Sequence, residues 1–366
     1  MAEHIIFSAP FFVAAFWSLW LGLDYRTHPS APRLSLLCFM ITTAVLYLCH
    51  FIYFSLSGHA PWPVDLLYRY CNLAVFPLWH FYLCRLTLHR LSRREQFLWL
   101  MPAVLLAPAQ LMWSEAQVAA RIVFAGQVIS VFILGWRMLR SYETAIASSY
   151  ADTEAYSLRP LRGLLLFLFL TTLASFTANL LGRERFVSSV AMLAVPSVLF
   201  SAFIFMLGYE SVRLLPIVTA VEDEVDEVGT CLSADSGHGE QGESLLSGEG
   251  DDQGDHFAQL QRDVLRAMDE EKLYLRPNIK ISDLALHLGS NRNYIWHAVN
   301  EGMGISFSEL VNRRRIDHYI RLAGQNPQHA ADDTWQRCGF TSATTFYRCF
   351  RLYKGCSPAE YFAREA

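Results

Sequence analysis

Charged residues are scarce in this sequence, and they are unevenly distributed. They make up 17% of the 366 residues, whereas hydrophobic residues make up 53% and the mean hydropathy is +0.22. This composition argues against an ordinary soluble protein over the whole length. The apolar excess lies in residues 1–215, and the last 110 residues have ordinary globular composition. The formal net charge of −4 therefore averages over unlike parts and implies nothing about partners.

The sequence also lacks the motifs of several function classes. Its eight cysteines form no Cys-x-x-Cys pair and no Cys/His cluster with zinc-ligand spacing, so we expect no metal site. Most lie in apolar surroundings, which favours buried, reduced thiols. No His-Glu-x-x-His motif, Ser/His constellation or phosphate-binding loop occurs. We therefore expect no catalytic residues and no cofactor, and we find no N-terminal signal peptide.

Seven segments are apolar enough for membrane-spanning helices, which need about 20 residues each. They are residues 5–23, 34–54, 64–86, 97–113, 117–139, 161–181 and 186–207. The predicted fold class is therefore all-α, with a polytopic transmembrane bundle of about seven spans in residues 1–215. The lipid bilayer is the first expected partner.

Arginine is distributed asymmetrically over the loops between these segments. Ten arginines lie in the loops at 24–33, 84–96 and 137–162. Two lie in the alternate loops, which are residues 55–63, 114–116 and 182–185. Because loops rich in Lys and Arg stay in the cytoplasm, this bias predicts an external N-terminus and a cytoplasmic C-terminus.

Ionisable residues within the predicted spans are candidates for function, because their burial in lipid is costly. His50, Asp65, Arg69 and Arg121 all lie toward the predicted outer face. Asp65 and Arg69 are spaced i,i+4 and can neutralise each other. Two interpretations stay open. One is an outward-facing pocket for a small polar or anionic signal; the other is arginines and interfacial tryptophans that extend to the membrane surface.

The stretch that follows the predicted spans is strongly acidic. Residues 222–255 contain twelve Asp and Glu, no Lys or Arg, and many Gly and Ser. Such a segment buries too little apolar surface to fold, so we predict a disordered linker over 216–255. It is either a solvated spacer or a polyanion that competes with DNA for a basic face of the domain after it.

From residue 257 onward the apolar positions follow helical spacing. The pattern predicts one helix-turn-helix around Gly289, a longer helix at about 307–322, and a second helix-turn-helix at about 331–353. In the last of these, Phe346, Cys349 and Phe350 share one face. Capping candidates are Ser282 and Asp283, Asn291, Thr341 and Ser342, Gly355, and the sequence Ser357-Pro358-Ala359-Glu360.

The stretch 339–361, GFTSATTFYRCFRLYKGCSPAEY, closely resembles the second helix-turn-helix signature of AraC/XylS-type regulators. The first unit matches through Leu284-Ala285-x-x-Leu288-Gly289, Asn293-Tyr294-Ile295, Gly304-x-Ser306-Phe307 and Arg315-Ile316. The resemblance covers about residues 257–363. It implies that each unit places its second helix in a successive major groove of double-stranded DNA.

The resemblance also implies which residues contact DNA. Carried over by position, the base-contacting residues are Asn293, Trp296, His297, Thr344 and Arg348. The phosphate-contacting residues are Arg292, Arg351 and Lys354. The chain departs from the family at Thr334-Trp335 and at Tyr319, where added bulk is expected to change how the second unit docks.

These patterns predict a membrane-bound transcription regulator of the bacterial inner (cytoplasmic) membrane. Its parts are a sensor (1–215), the linker (216–255) and a DNA-binding domain (256–366). The signal, a small molecule or a membrane property, is unknown. Residues 257–366 contain fifteen basic and twelve acidic residues, so we expect homodimerisation or tethering to add DNA affinity. The alternatives are a membrane scaffold or adaptor whose helix-turn-helix domain binds protein, and an intramembrane enzyme or transporter with a regulatory tail.

Overall fold

The computed structural model describes residues 2–56, 61–89, 91–180, 190–235, 252–325 and 334–365. The described residues form helices and no strands, apart from one isolated antiparallel bridge between Tyr150 and Lys280. The all-α prediction is therefore confirmed. The chain divides into two compact units. Unit 1 is Met1–Ser141 with Leu158–Glu227, and unit 2 is Tyr142–Ser157 with Val228–Ala366.

Long helices make up unit 1. They are α1 (Ala2–Thr27), α2 (Ala31–Ser55), α3 (Trp62–Leu86), α4 (Arg93–Met112), α5 (Ser114–Ser149), α6 (Arg159–Leu180) and α7 (Val190–Asp235), of which α5 and α7 continue into unit 2. Each predicted span overlaps one of these helices. Within the described residues, three stretches are long and apolar enough to cross a membrane, namely Ala31–Tyr53, Ser114–Ser149 and Ala194–Thr219. The count of seven spans stays a prediction.

Aromatic side chains hold the interior of unit 1 together. Trp79 of α3 is fully buried, with its ring 5.3 Å from that of Phe39 in α2 and 5.8 Å from that of Phe203 in α7. At one end of α1 and α2, the Arg33 Nε donates to the Asp24 carboxylate at 2.7 Å. The outer surface is apolar as well, with many large side chains exposed. Examples are Phe12, Phe16, Leu19, Phe97, Leu98, Ile122 and Leu170.

Helix extends into the stretch predicted to be a disordered linker. The last helix of unit 1, α7, continues through Asp235, and the next helix begins at Asp252. Leu214, Leu215 and Val218 are buried, so the apolar face of α7 continues beyond the predicted span. This face explains why the helix continues to about residue 218, since an amphipathic helix is stabilised by packing. Residues 236–251 of the predicted linker lie outside the described residues.

Unit 2 consists of shorter helices. They are α8 (Asp252–Asp269), a 3₁₀ turn (Leu273–Leu275), α9 (Ile281–His287), α10 (Arg292–Trp296) with a following π-helical turn (His297–Gly302), α11 (Phe307–Gln325), α12 (Thr334–Arg337), α13 (Ala343–Lys354) and α14 (Pro358–Glu365). The long helix predicted at about 307–322 is confirmed as α11. Residues 331–333 of the predicted second helix-turn-helix lie outside the described residues.

Most of the predicted caps are present. The Asn291 side chain caps α10 by accepting from the Asn293 backbone N–H at 2.8 Å, and Ser342 caps α13. Gly355 ends α13 with φ +76°, a conformation that glycine adopts without a Cβ clash. The Ser357 and Glu360 backbone N–H groups each donate to the other's side chain.

The first helix of the first helix-turn-helix begins at Ile281, one residue before the predicted cap Ser282. Because α9 begins at Ile281, Ser282 lies inside the helix and does not cap it. Asp283 does cap it, because its carboxylate accepts from the Lys280 backbone N–H at 2.8 Å.

Two apolar cores stabilise the helices of unit 2. The first core surrounds Leu284, Ile295 and Val311, and it includes Ala151 from the segment Tyr142–Ser157. The second surrounds the face predicted from the sequence; its fully or nearly fully buried members are Ile316, Tyr319, Ala323, Cys338, Phe340, Phe346, Cys349 and Phe350. Helix α11 contributes to both cores and therefore joins the two helix-turn-helix units.

The bulky residues at which the chain departs from the AraC pattern pack in or against the second core. Tyr319 is 2% exposed, and its ring lies 4.6 Å from that of Phe346. Thr334 is buried, and Trp335 packs against the same core. The added bulk is thus accommodated by apolar contacts within the second unit.

Candidate nucleic-acid interface

A buried arginine contacts both helix-turn-helix units. Arg315 of α11 is 1% exposed and donates to the Tyr274 and Arg276 carbonyl oxygens at 2.7 and 2.8 Å. Its guanidinium lies 5.5 Å from the centre of the Phe340 ring in the second unit. Burial lowers the pKa of Arg315 to about 10, and nearby Asp152 opposes that shift. The side chain is therefore a cation at neutral pH that connects α11 to both helix-turn-helix units.

A glycine lets the second helix-turn-helix approach the first closely. Gly339 has φ +87°, and a Cβ at this position would lie 2.7 Å from the Leu275 carbonyl oxygen. Real Cβ atoms do not make such contacts with backbone. The turn before α13 therefore rests directly on the 3₁₀ turn Leu273–Leu275.

The first recognition helix is α10 with its π-helical turn, and part of it is open to solvent. Asn293 is exposed, as the family resemblance predicts for a base-contacting residue. His297 is half exposed, and its ring nitrogen lies 2.9 Å from the Glu301 carboxylate. These two side chains are free to approach the edge of a base pair.

Arg292 and Trp296 are less accessible than the DNA-contacting roles implied by the family resemblance require. Both are half-buried, because serines of unit 2 that precede the helix-turn-helix domain in sequence lie against them. The Trp296 indole N–H donates to Ser148 Oγ at 3.0 Å, and the Arg292 guanidinium donates to Ser149 Oγ at 3.4 Å. One turn further, the Asn300 amide donates to the Ser148 carbonyl at 3.3 Å.

The second recognition helix, α13, has an apolar back and a polar front. Phe346, Cys349 and Phe350 are buried, while Thr344 and Arg351 are exposed. Arg348, the predicted guanine contact, is half-buried on the same helix. The remaining predicted phosphate contact, Lys354, forms an ion pair with Asp317 of α11 at 2.8 Å.

Two carboxylates lie at the N-terminal end of α13. The Thr341 hydroxyl donates to Asp152, and the Thr345 hydroxyl donates to Glu154. Ser342 Oγ, the cap of α13, lies 3.4 Å from the same Glu154 carboxylate. A helix N-terminus favours negative charge, so these contacts are electrostatically matched.

Residues 148–154, which we call the docking segment, make all of these contacts with both recognition helices. Ala151 at its centre is fully buried, and its backbone N–H donates to the Ile279 carbonyl at 3.1 Å. Its carbonyl accepts from Ser308 Oγ and Asn312 Nδ2, both at 3.0 Å. Sequence reasoning missed this segment, because the loop 137–162 was considered only for its arginines. The available signal was a pair of acidic residues, Asp152 and Glu154, within a loop rich in arginine.

The residues predicted for a signal pocket are brought together only in part. The Arg69 guanidinium pairs with Asp65 at 2.8 Å and reaches Gln110 of α4 at 3.3 Å. The His50 ring packs edge-on against Tyr68, with centroids 4.9 Å apart. Arg121 is exposed on α5. The pocket itself stays a prediction. Within the described residues, no group of three or more His, Cys, Asp or Glu side chains is placed to bind a metal ion.

Comparisons with known proteins agree with the geometry of the C-terminal region. A family described as "Helix-turn-helix domain" matches residues 284–364. The chain is also similar to HTH-type transcriptional regulators of Staphylococcus aureus strains MSSA476 and N315, both described as uncharacterized. Identity is 24% over 98 residues, which is 27% of this chain and 13% of the length of each relative. No solved structure matches the chain. The chain therefore carries a C-terminal helix-turn-helix domain of the AraC type, as found in DNA-binding transcription regulators.

Proposed function

We propose that this protein is a bacterial membrane-bound regulator that couples a transmembrane signal to sequence-specific DNA binding. Helices α1–α7 are the sensor in the inner membrane, with the N-terminus outside. The helix-turn-helix domain lies in the cytoplasm and reads two adjacent major grooves. No catalytic step is required.

One observation supports DNA reading above all others. Two helix-turn-helix units on one chain are joined by α11, and each presents a capped recognition helix over its own apolar core. Asn can contact adenine and Arg can contact guanine through paired hydrogen bonds. We assign these roles to Asn293 and Arg348, with Thr344 contacting a thymine methyl and His297 a neighbouring base.

The surface and the loops of unit 1 support placement in a membrane. Large side chains such as Phe12, Leu98 and Ile122 are exposed on its helices, which is costly in water and favourable in lipid. The ten-to-two arginine bias over the loops supports a cytoplasmic C-terminus. This orientation delivers the DNA-binding domain to the compartment that holds DNA.

The signal is proposed to act by shifting the packing of the helices in unit 1. The Asp65–Arg69–Gln110 contacts and the His50–Tyr68 contact lie where α2, α3 and α4 meet, so a polar or anionic ligand there would disturb these helix contacts. A ligand that binds one packing arrangement tenfold more tightly shifts the equilibrium by about 1.4 kcal/mol. The outcome is a change in DNA affinity or in dimerisation.

DNA reading is tested with the full chain in lipid nanodiscs. Duplexes are enriched from a random library, and the affinity for the enriched sequence is measured against salt concentration. We expect log affinity to fall linearly with log salt, because phosphate contacts release counterions. Arg348→Ala should weaken binding about tenfold or more and relax the sequence preference, since a bidentate base contact is worth about 1–3 kcal/mol.

Arg364→Ala is the matched control, because Arg364 of α14 is exposed and the substitution removes the same charge. We expect it to change affinity by about twofold or less. Equal effects of the two substitutions on all sequences would leave nonspecific attraction as the explanation. A chain that enriches no sequence would favour the adaptor alternative, whose motivating residues Thr334 and Trp335 are otherwise explained by packing.

A further inference from the structure

We propose that the docking segment, residues 148–154, is an autoinhibitory element that covers part of the DNA-contacting face of the helix-turn-helix domain. DNA and the docking segment then compete for Arg292 and Trp296 of the first recognition helix and for the hydroxyl groups at the start of α13. The inference rests on the proposed DNA-binding function, and it adds the means by which that function is switched.

The first half of the docking segment covers one face of the first recognition helix. Arg292, Trp296 and Asn300 are spaced four residues apart, and all three donate to Ser148 or Ser149. Ser148 and Ser149 are 9% and 7% exposed, so these contacts exclude most of the solvent. While they persist, the Trp296 indole N–H cannot serve a base, and one nitrogen of the Arg292 guanidinium is held by Ser149.

The second half places negative charge where DNA phosphate would lie. Asp152 and Glu154 accept from the hydroxyl groups of Thr341, Ser342 and Thr345 at the start of α13. Hydroxyl groups and a helix N-terminus together form a common phosphate-binding arrangement. Bound carboxylates both occupy these donors and repel an approaching phosphate. The two halves therefore engage one face of the first recognition helix and the start of the second at the same time.

The centre of the docking segment anchors it to the domain. Ala151 belongs to the first apolar core, and its N–H and C=O are both hydrogen-bonded to that part of the domain. Next to it, Tyr150 bridges to Lys280, whose ammonium lies 5.4 Å from the centre of the Tyr150 ring. A buried anchor of this kind makes the docked arrangement the resting one in the absence of DNA.

The position of the docking segment in the chain connects it to signalling. It begins with the last two residues of α5 and precedes α6, so a rearrangement of either helix acts on it through the covalent chain. Release then raises the fraction of domains that are competent to bind DNA. Because the apparent dissociation constant equals the intrinsic constant divided by that fraction, release tightens binding without changing any DNA contact.

The test compares the DNA affinities of wild-type and variant chains in lipid nanodiscs for one duplex. That duplex is enriched from a random library with a variant whose docking segment is expected to be released. Asp152→Asn/Glu154→Gln removes the carboxylate charges, and Ala151→Gln adds bulk at the buried anchor without changing charge. Both released variants should bind DNA about tenfold or more tightly than the wild type. Asp263→Asn on α8 combined with Glu270→Gln just after it is the charge-matched control, and this variant should stay within about twofold of the wild type.

Hydrogen exchange gives a second measurement that does not depend on the variants. When the wild type is saturated with DNA, amides of 148–154 should exchange faster while those of 292–300 become more protected. Unchanged protection of 148–154 in the DNA complex would overturn autoinhibition. Equal affinities of wild type and released variants, or an equal gain in the charge-matched control, would overturn it too. In each of these outcomes the chains still bind a preferred DNA sequence, so autoinhibition fails and the proposed function stands. If no chain binds a preferred sequence, the proposed function fails as well.

Discussion

At the scale of single residues, Arg315 stabilises the interior of the helix-turn-helix domain, although its place in an Arg-Arg-Arg sequence suggests an exposed position. Its neighbour Arg314 is partly exposed and pairs with Asp269 at the surface, whereas Arg315 is buried and satisfies two carbonyl groups. Helical spacing turns the two side chains about 100° apart, and that rotation decides which is buried. The two residues therefore form a matched pair for experiment.

We expect Arg315→Met to lower the free energy of opening of α11 and α13 by about 3 kcal/mol, because two buried carbonyls lose a charged donor. Arg314→Met should cost less than about 1 kcal/mol, since it breaks an exposed ion pair. Native-state hydrogen exchange on the full chain measures both. Losses of the same size in the two variants would contradict the role given to Arg315.

His318 makes the stability of the domain depend on pH. Its pKa is lowered by burial first and then by the positive charges of Arg321, Lys272 and Arg337. The folded domain therefore favours the neutral ring, whose Nδ1 lies 3.2 Å from the Tyr274 hydroxyl. This stabilisation is complete above the unfolded pKa of about 6.5 and is lost as the pH falls from there toward the folded pKa.

His318→Gln should accordingly flatten the loss of stability between about pH 7 and pH 5. The measurement is the opening free energy of α11 amides at several pH values in the wild type and the variant. At pH 8 the two pH profiles should have the same slope. A variant that loses stability on acidification as steeply as the wild type would exclude His318 as a source of the dependence.

At the scale of elements, α13 is delimited by local chemistry but positioned by a long-range contact. Gly355 ends the helix with a positive φ and open space around its Cβ position. Gly339 precedes the helix with a positive φ too, yet its Cβ position is filled by the backbone of the 3₁₀ turn. The same residue type thus serves a conformational need at one end and a packing need at the other.

This difference gives a paired prediction. Gly355→Ala should destabilise α13 by about 1 kcal/mol, the cost of a left-handed alanine. Gly339→Ala should cost more, about 3 kcal/mol or above, because backbone must also move. Hydrogen exchange of α13 and α14 amides reports both values. If Gly339→Ala were no more damaging than Gly355→Ala, close approach of the two units would not require the glycine.

At the scale of the whole molecule, the proposed switch depends on topology. Arg94 in the first turn of α4 and Glu115 in the first turn of α5 are exposed, and the arginine bias predicts that they lie on opposite sides of the membrane. Glu115→Cys should react with a membrane-impermeant maleimide added outside the inner membrane. Arg94→Cys should react only after lysis. The unsubstituted chain gives the background, and the reverse pattern would place the helix-turn-helix domain outside the cytoplasm.

Much of this molecule follows from the sequence alone, because the rules involved are local. Helical periodicity predicted the all-α fold and the face of α13 that is buried. Short-range hydrogen bonding predicted the caps at Asn291 and Ser342 and the helix end at Gly355. The AraC resemblance identified candidate DNA contacts by position, since a motif preserves the spacing of residues along a helix.

Other features required the tertiary structure, because their partners are distant in the chain. The family resemblance implied that Trp296 contacts a base, but its indole N–H donates to Ser148, which lies 148 residues earlier. Arg315 finds its carbonyl acceptors 41 and 39 residues away. Side-chain spacing specifies which face of a helix a residue occupies, and it carries no information about what covers that face. Sequence by itself thus determined the recognition helices and their candidate contacts, and only the tertiary structure decided that residues 148–154 cover one face of the first recognition helix and the start of the second.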